Sequence, residues 1–249
     1  MSLPEIATRE EWLAARRALL AREKELTSMQ DALTADRRRM PMVRVEKDYV
    51  FTGPDGDVSL LDMFEGRCQL IVQHFMFDPE WENGCSGCTA SVDEISDGVI
   101  THLQARETTF ALVSRAPYAK LAAYRDARGW TIPWYSSNGS DFNYDFHVTL
   151  DESVAPLELN FRTRAEVEAA PSVQWALRSD QPLELPGISC FLRDGDEVFH
   201  TNSTYARGTE NLAGAYTWLD LTALGRQEEW EEPKGRAAAA AHGAAPDFS

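Results

Sequence analysis

Two short runs of apolar and β-branched residues, each followed by a helical pattern, constrain the fold of this chain more than any other feature. The runs QLIVQHFMF (69–77) and TTFALVS (108–114) have the continuous apolar character of strands that are buried on both faces. Helical patterns follow at 86–104 and 117–128, and another lies at 210–224. A strand–helix–strand–helix order predicts parallel strands joined by a crossover helix, so we expect an α/β sheet covered by helices on both faces.

The remaining segments predict an N-terminal helix, a late hairpin and a tail. Residues 8–39 begin with a capping-box pair, Thr8 and Glu11, and carry a rough apolar stripe. The segment ISCFLRDGDEVFH (188–200) predicts a hairpin that turns at Asp194-Gly195. The sequence therefore predicts three parts, which are a helical extension (1–42), a main domain (43–228, with an insertion at about 151–185) and a disordered tail rich in Ala (229–249).

The acidic charge of the chain argues against several classes of partner. Its 24 Lys and Arg against 40 Asp and Glu give a formal net charge of −16. Nucleic acids and anionic membranes are bound by excess positive charge, so we expect neither as a partner. The sequence contains no apolar run of about 18 residues and no signal-peptide pattern, which predicts a cytoplasmic protein.

The motif that carries chemistry is the CxxC pair Cys85 and Cys88, placed between the first buried strand and the helix after it. Cys85 is expected at the helix start, where unpaired N–H groups and the helix dipole stabilise a thiolate. Cys88, one turn further on, is expected to be sheltered and close enough to form a disulfide with it. An exposed attacking sulfur and a sheltered resolving sulfur predict thiol–disulfide exchange. A merely structural pair and half of a metal site stay open as alternatives.

The metal interpretation is the weakest of the three. No second CxxC pair and no HxxxH pair exists, and Cys68 and Cys190 are isolated, so we predict that both are small core residues. We therefore expect no metal and no cofactor.

The surroundings of the pair are acidic, because no Lys or Arg occurs between Cys68 and Ala105 whereas six carboxylates do. Negative neighbours raise the pKa of a thiol and oppose the effect of the helix start. Cys85 is therefore expected to be only modestly acidic unless Arg115 reaches it from the end of the second strand. Weak stabilisation of the thiolate favours the disulfide, which predicts a reducing couple.

Several polar and aromatic residues are candidates for the rest of the site. Asp78 is either a proton acceptor from Cys88 or an exposed loop aspartate. Arg115 is a candidate contact for a thiolate or an anion, with a surface salt bridge as the alternative. His74 is either a buried base beneath the dithiol or a core histidine. The aromatic and amide residues between 130 and 150 form either a cleft wall or a loop packed over the sheet edge. The predicted substrate-binding residues are Trp81, Trp134, Tyr135, Asn143, Tyr144, Pro186 and Tyr205.

The element order resembles the thioredoxin-like fold. More closely, the segments GCSGC, VSRAPYAKLAAYRDARGW, SSNGSDFNYDF, FHTNSTYARG and LDLTALGRQE resemble a bacterial thioredoxin-like family of unestablished function, over about residues 5–232. The resemblance implies a three-layer mixed sheet flanked by helices and, by analogy, a thiol-based activity. Its partners would be a protein or small-molecule disulfide and a thiol that donates electrons. Pro186 lies near the proline that thioredoxins place before the strand facing the dithiol.

Two other functions are kept beside the oxidoreductase. Pro79 resembles the active-site proline of peroxiredoxins, but Glu82 stands where they have Thr or Ser, so a thiol peroxidase is the second interpretation. The third is a redox-inactive module that binds a ligand or a protein and forms a homodimer through residues 8–39.

Overall fold

The structure is a computed structural model that describes residues 4–212, 214–223 and 232. Its helices are α1 (Arg9–Arg39), α2 (Ser86–Asp93), α3 (Asp97–Gln104), α4 (Tyr118–Arg128), α5 (Phe142–Asp145), α6 (Arg164–Ala169) and α7 (Gly214–Leu219), with 3-10 helices at Asp62–Phe64, Pro171–Leu177 and Ala206–Leu212. Its strands are β1 (Val43–Arg44), β2 (Val50–Gly53), β3 (Gly56–Ser59), β4 (Gln69–His74), β5 (Thr108–Ser114), β6 (Trp134–Ser136), β7 (Thr149–Leu150), β8 (Glu158–Leu159), β9 (Arg162–Thr163), β10 (Leu183–Glu184), β11 (Gly187–Asp194) and β12 (Glu197–Tyr205).

The main sheet of the described residues is mixed, with the strand order β1-β12-β11-β4-β5-β6-β2-β3. Strands β4, β5 and β6 are parallel, and the hairpin β11–β12 lies antiparallel beside β4. The hairpin turns at Asp194–Gly195, as its sequence predicts, and Gly195 has the positive φ of 59° that favours glycine. The parallel strands β4 and β5 are joined by helices, and the antiparallel hairpin β11–β12 lies next to β4. This is the thioredoxin-like arrangement, so the predicted fold class is confirmed.

The alternating side chains of β4 and β5 divide the core into two apolar clusters, one on each face of the sheet. The first cluster includes Leu70, Val72, Ala111 and Val113 of these strands, together with Phe64, Phe142 and Phe146. The second includes Leu112 and Trp134 of the sheet, Cys88 and Val92 of α2, and Leu121 of α4. Helical elements thus cover both faces, and the dithiol belongs to the second cluster.

Two helix predictions differ from the structure. The pattern at 86–104 forms two helices rather than one, because Ser96 begins a new helix and its hydroxyl accepts the N–H of Val99 at 3.4 Å. Within the pattern at 210–224, the described residues include the end of a 3-10 helix and the short α7. The predicted tail from residue 229 lies, apart from Glu232, outside the described residues.

The chain divides into two units, of which the smaller includes α1 and the larger spans Val43–Ala215. Helix α1 begins at the predicted capping box, in which the Thr8 hydroxyl and the Glu11 carboxylate satisfy each other's backbone N–H. In the larger unit the segment 151–185 contributes to a small apolar cluster of its own. None of the helices in the described part of the chain is both long enough and apolar enough to cross a membrane.

Candidate active site

The loop between β4 and α2 delivers Cys85 to the start of α2. Cys85 is the N-cap residue of this helix, as the sequence predicts. Its N–H donates to the carbonyl oxygen of Met76 at 3.0 Å, which closes the loop at its base. Its own carbonyl accepts both the N–H and the hydroxyl of Thr89, each at 2.9 Å. These bonds set the backbone on both sides of the Cys85 sulfur.

The two cysteines differ in exposure. Cys85 is half-buried, whereas Cys88 is 5% exposed and packs in the second cluster with Phe77 and Val92. A solvent-borne molecule therefore reaches the sulfur of Cys85 before that of Cys88. The difference in exposure is the one that the sequence predicts for this pair.

Hydrogen bonds make the two thiols chemically unequal. The Cys88 thiol donates to the Cys85 sulfur, and this bond, with the N–H groups of Cys88 and Gly87, lowers the pKa of Cys85 to about 6. The hydrogen bond to Cys85, together with burial, raises the pKa of Cys88 well above its ordinary value. The pKa of Cys85 is lower than the acidic sequence around it predicts, because donors in direct contact with the sulfur act more strongly than carboxylates in solvent.

Gly84 allows the loop to lie against the core just before Cys85. A Cβ atom built on Gly84 would lie 2.6 Å from Cε1 of Phe75 and 3.4 Å from Cδ1 of Phe77. The absence of a side chain is therefore required for this close approach. The glycine in front of the CxxC motif has a packing role that the pattern alone does not reveal.

Asp78 and Arg115 lie in a buried ion cluster rather than against the sulfurs. Nη2 of Arg115 bonds to Asp78, and its Nε donates to Glu184 at 2.6 Å. Its Nη1 donates to the hydroxyl of Tyr144 at 3.2 Å, and the Thr149 hydroxyl donates to Glu184 at 3.1 Å. Burial raises the pKa of Glu184, and the charge and hydrogen bond of Arg115 oppose this rise. Neither Asp78 nor Arg115 is among the described groups that shift the pKa of the two thiols.

The predicted substrate-binding residues do not form one exposed wall. Trp134 is 1% exposed, and its indole N–H donates to Ser114 at 3.0 Å inside the second cluster. Of the others, Tyr135, Asn143 and Tyr205 are buried, Tyr144 and Pro186 are half-buried, and Trp81 is 39% exposed. The aromatic segment therefore packs largely in the core. A role in substrate binding stays a prediction, and Trp81, in the loop before Cys85, fits it best. Pro186 directly precedes β11, whose first residue pairs with the end of β4.

Sequence reasoning missed two residues, one in the ion cluster of Asp78 and Arg115 and one that contacts the loop before Cys85. Glu184 lies in the insertion, and nothing local distinguishes it from the other 39 acidic residues of the chain. Lys120 lies in α4, and its Nζ donates to the carbonyl oxygens of Pro79 and Trp81 in the loop before Cys85. The only available signal was its place in the segment SRAPYAKL, which the resemblance singles out without assigning a role.

The other two cysteines, Cys68 and Cys190, differ in exposure. Cys68 was expected in the core and is instead exposed, because it lies at the sheet end just before β4, where its carbonyl accepts the N–H of Arg193 at 2.9 Å. Cys190 is half-buried. Among the described residues no three His, Cys, Asp or Glu side chains come together as a metal site.

His74, the last residue of β4, lies on the opposite face of the sheet from the dithiol. Its Nε2 is 2.7 Å from the hydroxyl of Ser189, and its ring lies 5.6 and 5.9 Å from those of Phe142 and Phe146. Burial, with a smaller effect of the nearby His200, lowers the pKa of His74 to about 3. His74 is therefore a neutral core histidine and not a base beneath the sulfurs.

This burial predicts a loss of stability in acid. The unfolded chain takes up a proton on His74 below about pH 6.5, while the folded chain does not until about pH 3, so stability falls as the pH falls between these values. We expect His74→Gln to reduce the loss of unfolding free energy between pH 7 and pH 5 by about 2 kcal/mol, measured by urea unfolding. His102→Gln, which removes an exposed histidine, is the matched control. An equal pH dependence in both variants would contradict the prediction.

Comparisons with solved structures give distant likenesses, among them the following two. The bacterioferritin comigratory protein of Xanthomonas campestris is 9% identical over 65% of this chain and 83% of that one, with a TM-score of 0.40. BsSco, a member of the Sco family of cytochrome c oxidase assembly proteins, is 14% identical over 69% of this chain and 88% of that one, with a TM-score of 0.35. Likenesses this distant carry no information on function.

Family comparison gives the closer relation. No curated protein matches the chain. One family model matches residues 1–242, which is nearly all of the 249-residue chain. The chain therefore belongs to the family described as "Bacterial protein of unknown function (DUF899)".

Proposed function

We propose that this protein is a thiol–disulfide oxidoreductase that uses Cys85 and Cys88. The observation that carries the proposal is the inequality of the two thiols. Cys85 is accessible at the start of α2 and has a pKa of about 6, whereas Cys88 is buried, has a raised pKa and donates a hydrogen bond to the Cys85 sulfur. At pH 7 such a Cys85 is mostly thiolate, which is the nucleophilic form.

The reaction proceeds in two exchanges that balance in atoms and electrons. The Cys85 thiolate attacks one sulfur of a substrate disulfide, forms a mixed disulfide and releases the other substrate sulfur as a thiolate. Cys88 then attacks the Cys85 sulfur, forms the Cys85–Cys88 disulfide and releases the second substrate sulfur, and its proton passes to the released thiolate. The substrate gains two electrons and the protein loses two, and an external dithiol or two monothiols restore the reduced pair.

Substrate class, electron donor and redox potential belong to the same proposal. The substrate is a protein or small-molecule disulfide that the exposed Trp81 contacts beside Cys85. A pKa near 6 stabilises the reduced pair, so we expect a less reducing couple than the acidic sequence alone predicts. The predicted location is the cytoplasm, where thiols are kept reduced, so a thiol donor there would reduce the Cys85–Cys88 disulfide after each turnover.

The first test measures the thiols directly. We expect iodoacetamide to alkylate Cys85 with a pH midpoint near 6 and to modify Cys88 far more slowly, because the latter is buried and protonated. Mild oxidation is expected to remove two hydrogens from the protein as the Cys85–Cys88 disulfide forms, and to protect both residues from alkylation. A dithiol should restore both thiols. The same preparation should reduce insulin disulfides in the presence of that dithiol.

Two results would contradict the proposal. Equal alkylation rates for the two cysteines would remove the inequality on which it rests. Consumption of peroxide without reduction of any disulfide would indicate the peroxidase interpretation instead.

A further inference from the structure

The loop that precedes Cys85 is held in its middle by a lysine from another element. Nζ of Lys120 donates to the carbonyl oxygens of Pro79 and Trp81, both at 2.7 Å, although these residues precede it by 41 and 39 positions. The same nitrogen lies 5.7 Å from the centre of the Phe77 ring. Two loop carbonyls without strand partners are thus satisfied by one ammonium, which fixes the course of the backbone between them.

The loop has further points of attachment at its ends. At its base the N–H of Cys85 donates to Met76, and just before Cys85 the backbone of Gly84 lies against Phe75. Between these points the loop is exposed at Glu80, Trp81 and Glu82, and neither carboxylate is paired with a cation in the described part of the chain. At its start, Asp78 is held separately by Arg115 and accepts the N–H groups of Glu80 and Trp81. Without Lys120, the Pro79 and Trp81 carbonyls lose the bonds that hold them to α4.

We infer that Lys120 is a positioning residue for Cys85. By holding the loop, it keeps the Cys85 sulfur within reach of the Cys88 thiol and the N–H groups of Gly87 and Cys88. Because these donors stabilise the thiolate only in direct contact, a displaced loop weakens all three together. The inference rests on the proposed function to the extent that Cys85 is the attacking sulfur.

The test is the pH profile of Cys85 alkylation in Lys120→Met, followed by mass spectrometry of the Cys85 peptide. Methionine keeps an unbranched side chain of similar length but has no N–H donor and no charge. We expect the midpoint to rise by about one pH unit, so that the rate at pH 6 falls about fivefold. Arg125→Met is the matched control, since it removes a charge from the same helix at a residue that pairs with its neighbour Asp126. Its midpoint should equal that of the wild type.

A wild-type midpoint in a folded Lys120→Met variant would overturn the inference. If that variant does not fold, Lys120→Gln replaces it, because glutamine is too short to reach both carbonyls. The same rise of the alkylation midpoint is expected, and a wild-type midpoint would again overturn the inference. The readout does not depend on turnover. Failure of the proposed function would show as an inactive wild type, whereas failure of this inference would show as an unchanged alkylation profile in the lysine variants.

Discussion

Arg115→Met is expected to lower the free energy of unfolding by about 3–5 kcal/mol, because it leaves buried charges without their partner. The Asp78 and Glu184 side chains that bond to the guanidinium are 11% and 2% exposed. Methionine has a similar length and preserves much of the packing, so the loss reflects the two carboxylates rather than a cavity. Urea unfolding at pH 7, followed by circular dichroism, measures the change.

Two further variants separate the charge effect from a general loss of packing. Adding Glu184→Gln to Arg115→Met should restore about 1–2 kcal/mol, because it removes the carboxylate that is most deeply buried. Arg125→Met removes an arginine whose partner Asp126 is 68% exposed, and it should change stability by less than about 1 kcal/mol. If Arg115→Met and Arg125→Met have the same small effect, the buried cluster does not stabilise the fold.

Cys85→Ser is expected to lower the rate of disulfide reduction by at least about 10³-fold, because a serine hydroxyl is not ionised near neutral pH and does not attack sulfur. Cys88→Ser is expected to act differently. Its Cys85 can still attack, but no resolving thiol follows, so a mixed disulfide between protein and substrate should accumulate. Mass spectrometry under non-reducing conditions detects this species as an adduct on the Cys85 peptide.

Cys68→Ser is the matched control for these replacements, because Cys68 is exposed and lies outside the dithiol. It should retain the wild-type rate and form no lasting adduct. Activity that survives in both Cys85→Ser and Cys88→Ser would end the dithiol hypothesis. Substrate adducts on Cys68 in the wild type would show that Cys68, and not Cys85, is the reactive thiol.

Part of this architecture could be predicted because it depends on contacts between residues close in the chain. The apolar run of β4, the hairpin turn at Gly195 and the capping box at Thr8 are each recognisable within a few positions. The position of Cys85 at a helix start follows in the same way, since Cys85 stands where the apolar strand has ended and the helical pattern begins. The net charge likewise follows from the residue counts and needs no structure.

The surroundings of the sulfurs could not be predicted, because they depend on residues brought together from distant parts of the chain. Arg115 bonds to Glu184, 69 positions later, and is therefore unavailable to Cys85, whereas Lys120 reaches back 41 positions to Pro79. Trp134 is a core residue because β6 lies inside the sheet, which no pattern in its own segment reveals. The sequence by itself determined the fold class, the dithiol and the acidity of its loop. Only the tertiary structure decided which cation faces which carboxylate or carbonyl and how far the pKa of Cys85 falls, because hydrogen bonds and ion pairs depend on distances of a few ångströms that sequence separation does not encode.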